Sequence, residues 1–206
     1  MTQPVPTKRQ QQAAATQEQL LCAARDVFGE RGYQATTVGA ITTRANTAHG
    51  TFYLYFRNKQ DAFAAVMAGI TDEVYREADR GADADDPREA IREGIRGFLE
   101  AFVEHRRLWR CLIEGAFTNA EVEVVWLEIR GRFVERVERD LRAFGTSLDP
   151  VLAANALGGM VEWAAITQFV LEAPQVAGRS TADTVDVLTD LWAGAVLSTA
   201  APTPTR

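Results

Sequence analysis

Between Thr36 and Lys59 the chain gathers side chains suited to recognising a charged polymer, and none suited to attacking one. The hydroxyls of Thr37, Thr47 and Thr51, the phenols of Tyr53 and Tyr55, the His49 imidazole and the Lys59 ammonium can all meet phosphate oxygens or base edges. Ala48 and Gly50 stand beside His49 at the end expected to do the reading. Elsewhere no Ser-His-Asp or Cys-His set, glycine-rich phosphate loop or inward carboxylate pair occurs, so an enzyme is not expected. His49 and His105, the latter beside Arg106 and Arg107, have no credible nucleophile as neighbour. The spacing shows no CxxC or HExxH pattern, so neither metal nor cofactor is expected.

Two short helices must position these groups. Thr37 is a good N-cap, and Val38, Ala40, Ile41 and Ala45 recur behind it at helical spacing. Ala45-Asn46-Thr47 breaks the pattern with a residue that tolerates left-handed backbone, as a tight turn requires. A second helix is predicted over 48–56, with Phe52 and Phe56 stacked on its buried face. Asn58 then caps a further helix, with Asp61 three residues on. Two short helices joined by a tight turn, the second with polar tips outward, fit the DNA major groove.

Gly32-Tyr33, Thr36-Thr37-Val38, Ile41, Ala45, Gly50-Thr51-Phe52-Tyr53, Tyr55-Phe56 and Lys59 resemble the DNA-binding signature of the TetR family of bacterial regulators. The resemblance covers about a quarter of the chain, and the segment from Gly50 to Lys59 is its most specific part. Thr42 replaces the Ala of the family pattern, Asn46-Thr47 replace Gly-Val, and His49 falls where the pattern varies. The resemblance implies a homodimer on a double-stranded DNA operator. In its light, Thr37, Thr51, Tyr53 and Lys59 are expected mainly on phosphates.

Charge is distributed in keeping with that. The 206-residue chain carries a net −6, which alone argues against a polyanionic partner. Over residues 1–59, seven cations face three carboxylates, giving +4 and leaving −10 for the rest. A basic module joined to an acidic one places the phosphate-facing surface early in the chain. Cys22 and Cys111, far apart within predicted helices, read as free thiols in a reducing compartment. The first twenty residues lack a secretory core, and the apolar run 151–171 is broken by Asn155, Glu162 and Gln168. No membrane is expected, and a cytoplasmic protein is.

Taken in order, 1–15 is polar with a glutamine run and reads as a disordered arm from which Lys8 and Arg9 could reach DNA. The helix-turn-helix domain is expected over 16–58, opened by a Thr16–Gln19 capping box, with Gly32 ending its first helix. A ligand-binding and dimerisation domain is expected over 59–206. Its first helix, from Lys59 to about Arg80, spans both parts as a lever. Later helices open at Pro87, Leu108, Asn119, Asp149-Pro150 and Ser180. No strand pattern of convincing length occurs, and the fold class is all-α with about nine helices.

The second domain is rich in aromatics, and a hydrophobic small-molecule effector is expected between its helices, lined by Phe98, Phe102, Trp109, Trp126, Phe133 and Trp163. A narrower resemblance, around Gly94-Ile95, Phe98, Phe102, Glu121-Val122 and Trp126, is to the TetR branch typified by the actinobacterial repressor of the ethionamide-activating monooxygenase. It implies a long apolar ligand tunnel at Phe98, Phe102 and Trp126. Small residues crowd the helix after Pro150, and Ala156, Gly159 and Met160 with Leu188, Leu191 and Trp192 are expected at a symmetric dimer interface. The reading is thus a ligand-released repressor on a pseudo-palindromic operator. The alternative is a DNA-binding adaptor controlled by protein contacts, without a small-molecule pocket.

Overall fold

Short-range capping chemistry sets most of the helix boundaries. The computed structural model describes residues 7–198, and within them the chain forms nine α-helices. They are α1 (Lys8–Ala35), α2 (Val38–Arg44), α3 (His49–Phe52), α4 (Lys59–Ala78), α5 (Pro87–Glu104), α6 (Arg106–Ala116), α7 (Ala120–Phe144), α8 (Pro150–Ala165) and α9 (Thr181–Leu197). Thr37, Asn58, Asp86, Asn119, Asp149 and Ser180 each accept a backbone N–H of the turn they open. Each thereby satisfies donors that a helix start leaves unpaired. A short 3₁₀ segment (Asp79–Asp83) follows α4, and α8 runs on into a π-helical turn (Ile166–Val170).

The start of α1 corrects the expectation of a disordered arm. Thr7, not Thr16, is the N-cap, and its capping box is closed by Gln10. Residues 8–15 are therefore helical, while residues 1–6 of the expected arm lie outside the described residues. Thr16 instead turns its hydroxyl back to the Gln12 carbonyl inside the helix. At the other end Gly32, at φ 76°, kinks α1 one turn before Ala35, a conformation that a side chain would strain.

The head packs α1 over α2, α3 and the start of α4. Phe28 lies edge-on to Phe63 at 4.8 Å between ring centroids, and Tyr33 meets the same ring at 5.2 Å. From Leu20 and Phe28, one continuous buried cluster runs through Phe63, Val74, Phe98, Leu112 and Val161 to Leu188. α6 rests on α1, and α5 is held between α4 and α9. Ion pairs Arg88–Asp190 and Arg92–Asp186 fasten α5 to α9. The closest approach is at Gly97, where a Cβ would stand 2.0 Å from the Glu77 carbonyl oxygen of α4. Only glycine lets the two backbones come that near.

Candidate functional site

The helix pair in the head is built by its turn. Ala45 closes α2 by donating to the Ile41 carbonyl, Asn46 takes the left-handed conformation at φ 50°, and Thr47 N–H donates to Thr42 at 3.0 Å. The Gln19 amide of α1 donates to the Ala45 carbonyl at 2.8 Å, fixing the turn from behind. α3 is shorter than expected. Its helical pattern ends at Phe52, because Leu54 and Tyr55 donate three residues back in a tightening turn. Phe52 and Phe56 are buried as expected.

On the outer side Thr37, Ala48, His49 and Gly50 are exposed, with Tyr53 half-exposed and its ring 5.5 Å from the His49 ring. Thr51 and Tyr55 are partly buried, and the Thr47 hydroxyl is buried without a hydrogen-bond partner. Two neighbouring cations are already engaged. Arg44 bridges Asp26 and Glu30 of α1, and Arg57 pairs with Asp61 at 2.9 Å.

Lys59 is partly buried and already holds a partner within the chain. Its ammonium donates to the Tyr33 carbonyl at 2.8 Å and lies 4.3 Å from the Tyr33 ring centroid. Burial lowers its pKa. Linear spacing placed Lys59 beside the reading helix, but the kink at Gly32 brings the end of α1 across it. Tyr33 in turn donates to Glu121 at the start of α7, at 2.9 Å. Lys59, Tyr33 and Glu121 thus join the head to the helices behind it.

The aromatic residues enclose a cavity of about 30 Å³ between α4, α5, α6, α7 and α8. Phe98, Phe102, Trp109, Trp126 and Phe133 line it. Phe102 stacks on Trp109 at 4.8 Å, and Phe98 meets Phe133 at 5.5 Å. Trp163 does not belong there. It is 61% exposed on the outer face of α8, since Val161 and Ala165 take the inward positions of that turn.

The cavity also has polar members that apolar periodicity could not reveal. Arg130 pairs with Glu162, whose carboxyl burial holds above its usual range against the lowering pull of Arg130. The Trp109 indole N–H is buried without an acceptor. Tyr75 of α4 donates to the Ile129 carbonyl at 3.2 Å, and burial pushes its phenol up to about 12. A second, open groove of about 500 Å³ adjoins the cavity and shares Phe98 and Phe133 with it. Val161 and Trp192 line this groove.

The expected dimer residues divide. Ala156 is exposed, Gly159 and Met160 are partly covered, and Leu191 is 55% exposed. Leu188, at 4% exposure, belongs to the subunit's own core, and Trp192 packs against that core. Beside Ala156 and Leu191, the outward residues include Leu152 and Trp163 on α8 and Val187 on α9. Of the six expected residues, Leu188 and Trp192 turn toward the subunit's own core, whereas Ala156 and Leu191 turn outward. Among the described residues no helix is long and apolar enough to cross a membrane.

A short helix pair held by its turn within a three-helix head, with a longer helical body sharing its core, defines a helix-turn-helix DNA-binding regulator. Comparison with known proteins gives the family. Residues 20–66 match the model of the bacterial regulatory proteins of the TetR family, and residues 91–198 match the C-terminal domain of the transcriptional regulator EthR. The chain belongs to the TetR family of transcriptional regulators. It is 24% identical over 192 residues to the regulator EthR of Mycolicibacterium smegmatis, covering 87% of this chain and 85% of that one. With the uncharacterised regulator YhgD of Bacillus subtilis it shares 27% identity over 125 residues, 61% of this chain and 62% of that one. The solved structure of a TetR-like regulator from Rhodococcus sp. RHA1 is 31% identical, with a TM-score of 0.63 over 93% of this chain and 98% of that one.

Proposed function

We propose that the chain binds a pseudo-palindromic operator as a homodimer, represses from it, and is released by a lipophilic small molecule. Residues 16–58 serve as the DNA-reading part and 59–206 as the effector-binding and dimerisation part. Ala48, His49 and Gly50 read bases, and Thr37, Thr51 and Tyr53 hold phosphates. The two heads occupy major grooves one helical turn, about 34–36 Å, or a multiple apart.

The observation that carries the effector reading is the pair of apolar spaces meeting at Phe98 and Phe133. The inner one, at about 30 Å³, is far below the roughly 300–1,000 Å³ of a small-molecule site. Rotation of Phe98 and Phe133 would merge it with the outer groove into one long apolar channel. The Trp109 N–H and the Arg130–Glu162 pair would then offer the polar end of a ligand its partners. Thr71, Val74 and Tyr75 of α4 line the inner space, and the same helix begins at Lys59 under the head. A ligand that spreads the cavity therefore moves α4, and with it the spacing of the two heads.

Such a ligand can release DNA only if it binds the released state more tightly. By reciprocity, operator DNA must weaken ligand binding by the same factor, typically about 5–150-fold. Thermal-shift screening with lipophilic compounds, then calorimetry of a hit with and without a footprinted operator, tests this. Equal ligand affinity in both titrations refutes induction, and the absence of any stabilising compound favours control by a protein partner.

A further inference from the structure

We infer that Glu73, Glu104 and His105 form a binding site for a divalent first-row transition-metal ion. Glu73 lies on α4, Glu104 closes α5, and His105 is the single residue between α5 and α6. Linear spacing concealed the group, because Glu73 comes a whole helix before the other two. The fold brings one donor atom from each residue to within 4.8 Å of the others.

His105 is the observation that turns two carboxylates into a ligand set. It is 4% exposed, and its Nε2 is buried without a hydrogen-bond partner. That nitrogen lies 3.1 Å from a Glu73 carboxylate oxygen, yet the contact lacks hydrogen-bond geometry. Two donors sharing one metal are related in this way, close to each other but directed at a third point. With bonds of about 2.0–2.2 Å, donors 3.1 Å apart subtend roughly 90–100° at the ion, near the octahedral angle and below the tetrahedral one. Donors on one ion can be at most about 4.0–4.4 Å apart at those bond lengths, so a pair at the 4.8 Å limit needs a closure of about 0.4–0.8 Å. Glu104 is exposed at its helix end and free to supply it.

The donor set narrows the ion. One imidazole with two carboxylates suits Zn²⁺, Mn²⁺, Fe²⁺ or Ni²⁺, lacks the thiolates that favour Cu⁺, and offers too few oxygens for Ca²⁺. Two carboxylates also neutralise a divalent charge. Glu104 and His105 border an open groove of about 420 Å³, through which an ion can enter and water can complete the coordination. Arg25, Arg106 and Arg107 line that groove too, with Asp26 and Glu30 of α1, which Arg44 bridges. The site would couple α4 to the α5–α6 joint. α6 begins against the head, where a Cβ on Gly29 would stand 3.7 Å from that of Arg107.

The test uses the full chain, stripped with a chelator and dialysed. Zn²⁺ is titrated by calorimetry and Co²⁺ by its visible absorption. One equivalent per chain is expected, weakened about tenfold or more in Glu73→Gln and Glu104→Gln and further in His105→Gln. His49→Gln, which alters the chain's other histidine, should bind as the parent does. Circular dichroism checks folding, and if His105→Gln does not fold, the two glutamine variants at less buried positions decide. The inference is overturned by no saturable binding at millimolar metal, by unchanged affinity in Glu73→Gln and Glu104→Gln, or by binding that requires His49.

Discussion

Replacing Lys59 by methionine separates two roles for this residue, because it keeps the side-chain stem and removes the ammonium. In the structure that ammonium donates to the Tyr33 carbonyl at 2.8 Å and lies 4.3 Å from the Tyr33 ring centroid. A hydrogen bond from a charged donor contributes about 1.5–3 kcal/mol, nearer the lower figure when water competes. A partly exposed cation–π contact adds about 0.5–1 kcal/mol. The expected loss is thus about 2 kcal/mol, or roughly 4–8 °C in thermal midpoint for a chain of this size. Operator binding should weaken little, and its dependence on salt should not change slope. Had Lys59 faced a phosphate in each half-site, as its position in the sequence suggested, the log–log slope would flatten by about 1.8. Thermal unfolding and operator titrations across a salt series measure both quantities. A slope flattened by that amount with the midpoint unmoved would refute the structural role.

Gly97→Ala should destabilise by about 1–3 kcal/mol, because α4 and α5 must part by about 1.4 Å to bring its 2.0 Å contact to an ordinary 3.4 Å. Gly69→Ala, where a Cβ meets nothing within 4 Å, should instead be neutral or stabilising, and equal urea midpoints for the two would contradict the packing argument. Trp163→Glu should place a charge on the outward face of α8, expected to meet a second copy, and yield folded monomers with weakened operator binding; light scattering that still shows dimers would move the interface elsewhere. Burial pushes the Cys111 thiol up to about 12, so at pH 8 a thiol reagent should modify exposed Cys22 and spare Cys111 until unfolding. Equal labelling rates would argue against the α6 packing.

Local chemistry was legible in the sequence wherever a helix announces itself within three or four residues. Thr37, Asn58, Asp149 and Ser180 cap helices because a short polar side chain before an apolar run has a backbone donor within reach. Asn46 was legible for a similar reason, since a two-helix turn needs left-handed backbone. The start of α1 was not, because 8–19 has no apolar stripe and its helix rests on a cap and on propensity. Trp163 and Leu188 turned out otherwise for another cause, as did the contact of Lys59 with Tyr33. A helix shows its periodicity in sequence, but which arc faces its own core, a partner or DNA depends on how neighbouring helices cross it. Glu162 and Tyr75 escaped notice because polar members of a cavity break the apolar pattern that marks its walls.

The opening turns of α1 bury no side chain before Leu20, which makes them a helix grown from a template. The nucleation penalty, a factor of about 10⁻³, is already met by the packed turns beyond Leu20. Each further residue then winds or unwinds with an equilibrium constant near one, on the order of nanoseconds per step. Unwinding of this helix end would start at Lys8, once the Thr7 cap is lost, and reach Gln19 last. Lys8 and Arg9 ride at its tip, so their charge is spread over a plume of positions whose reach is set by how many turns are wound.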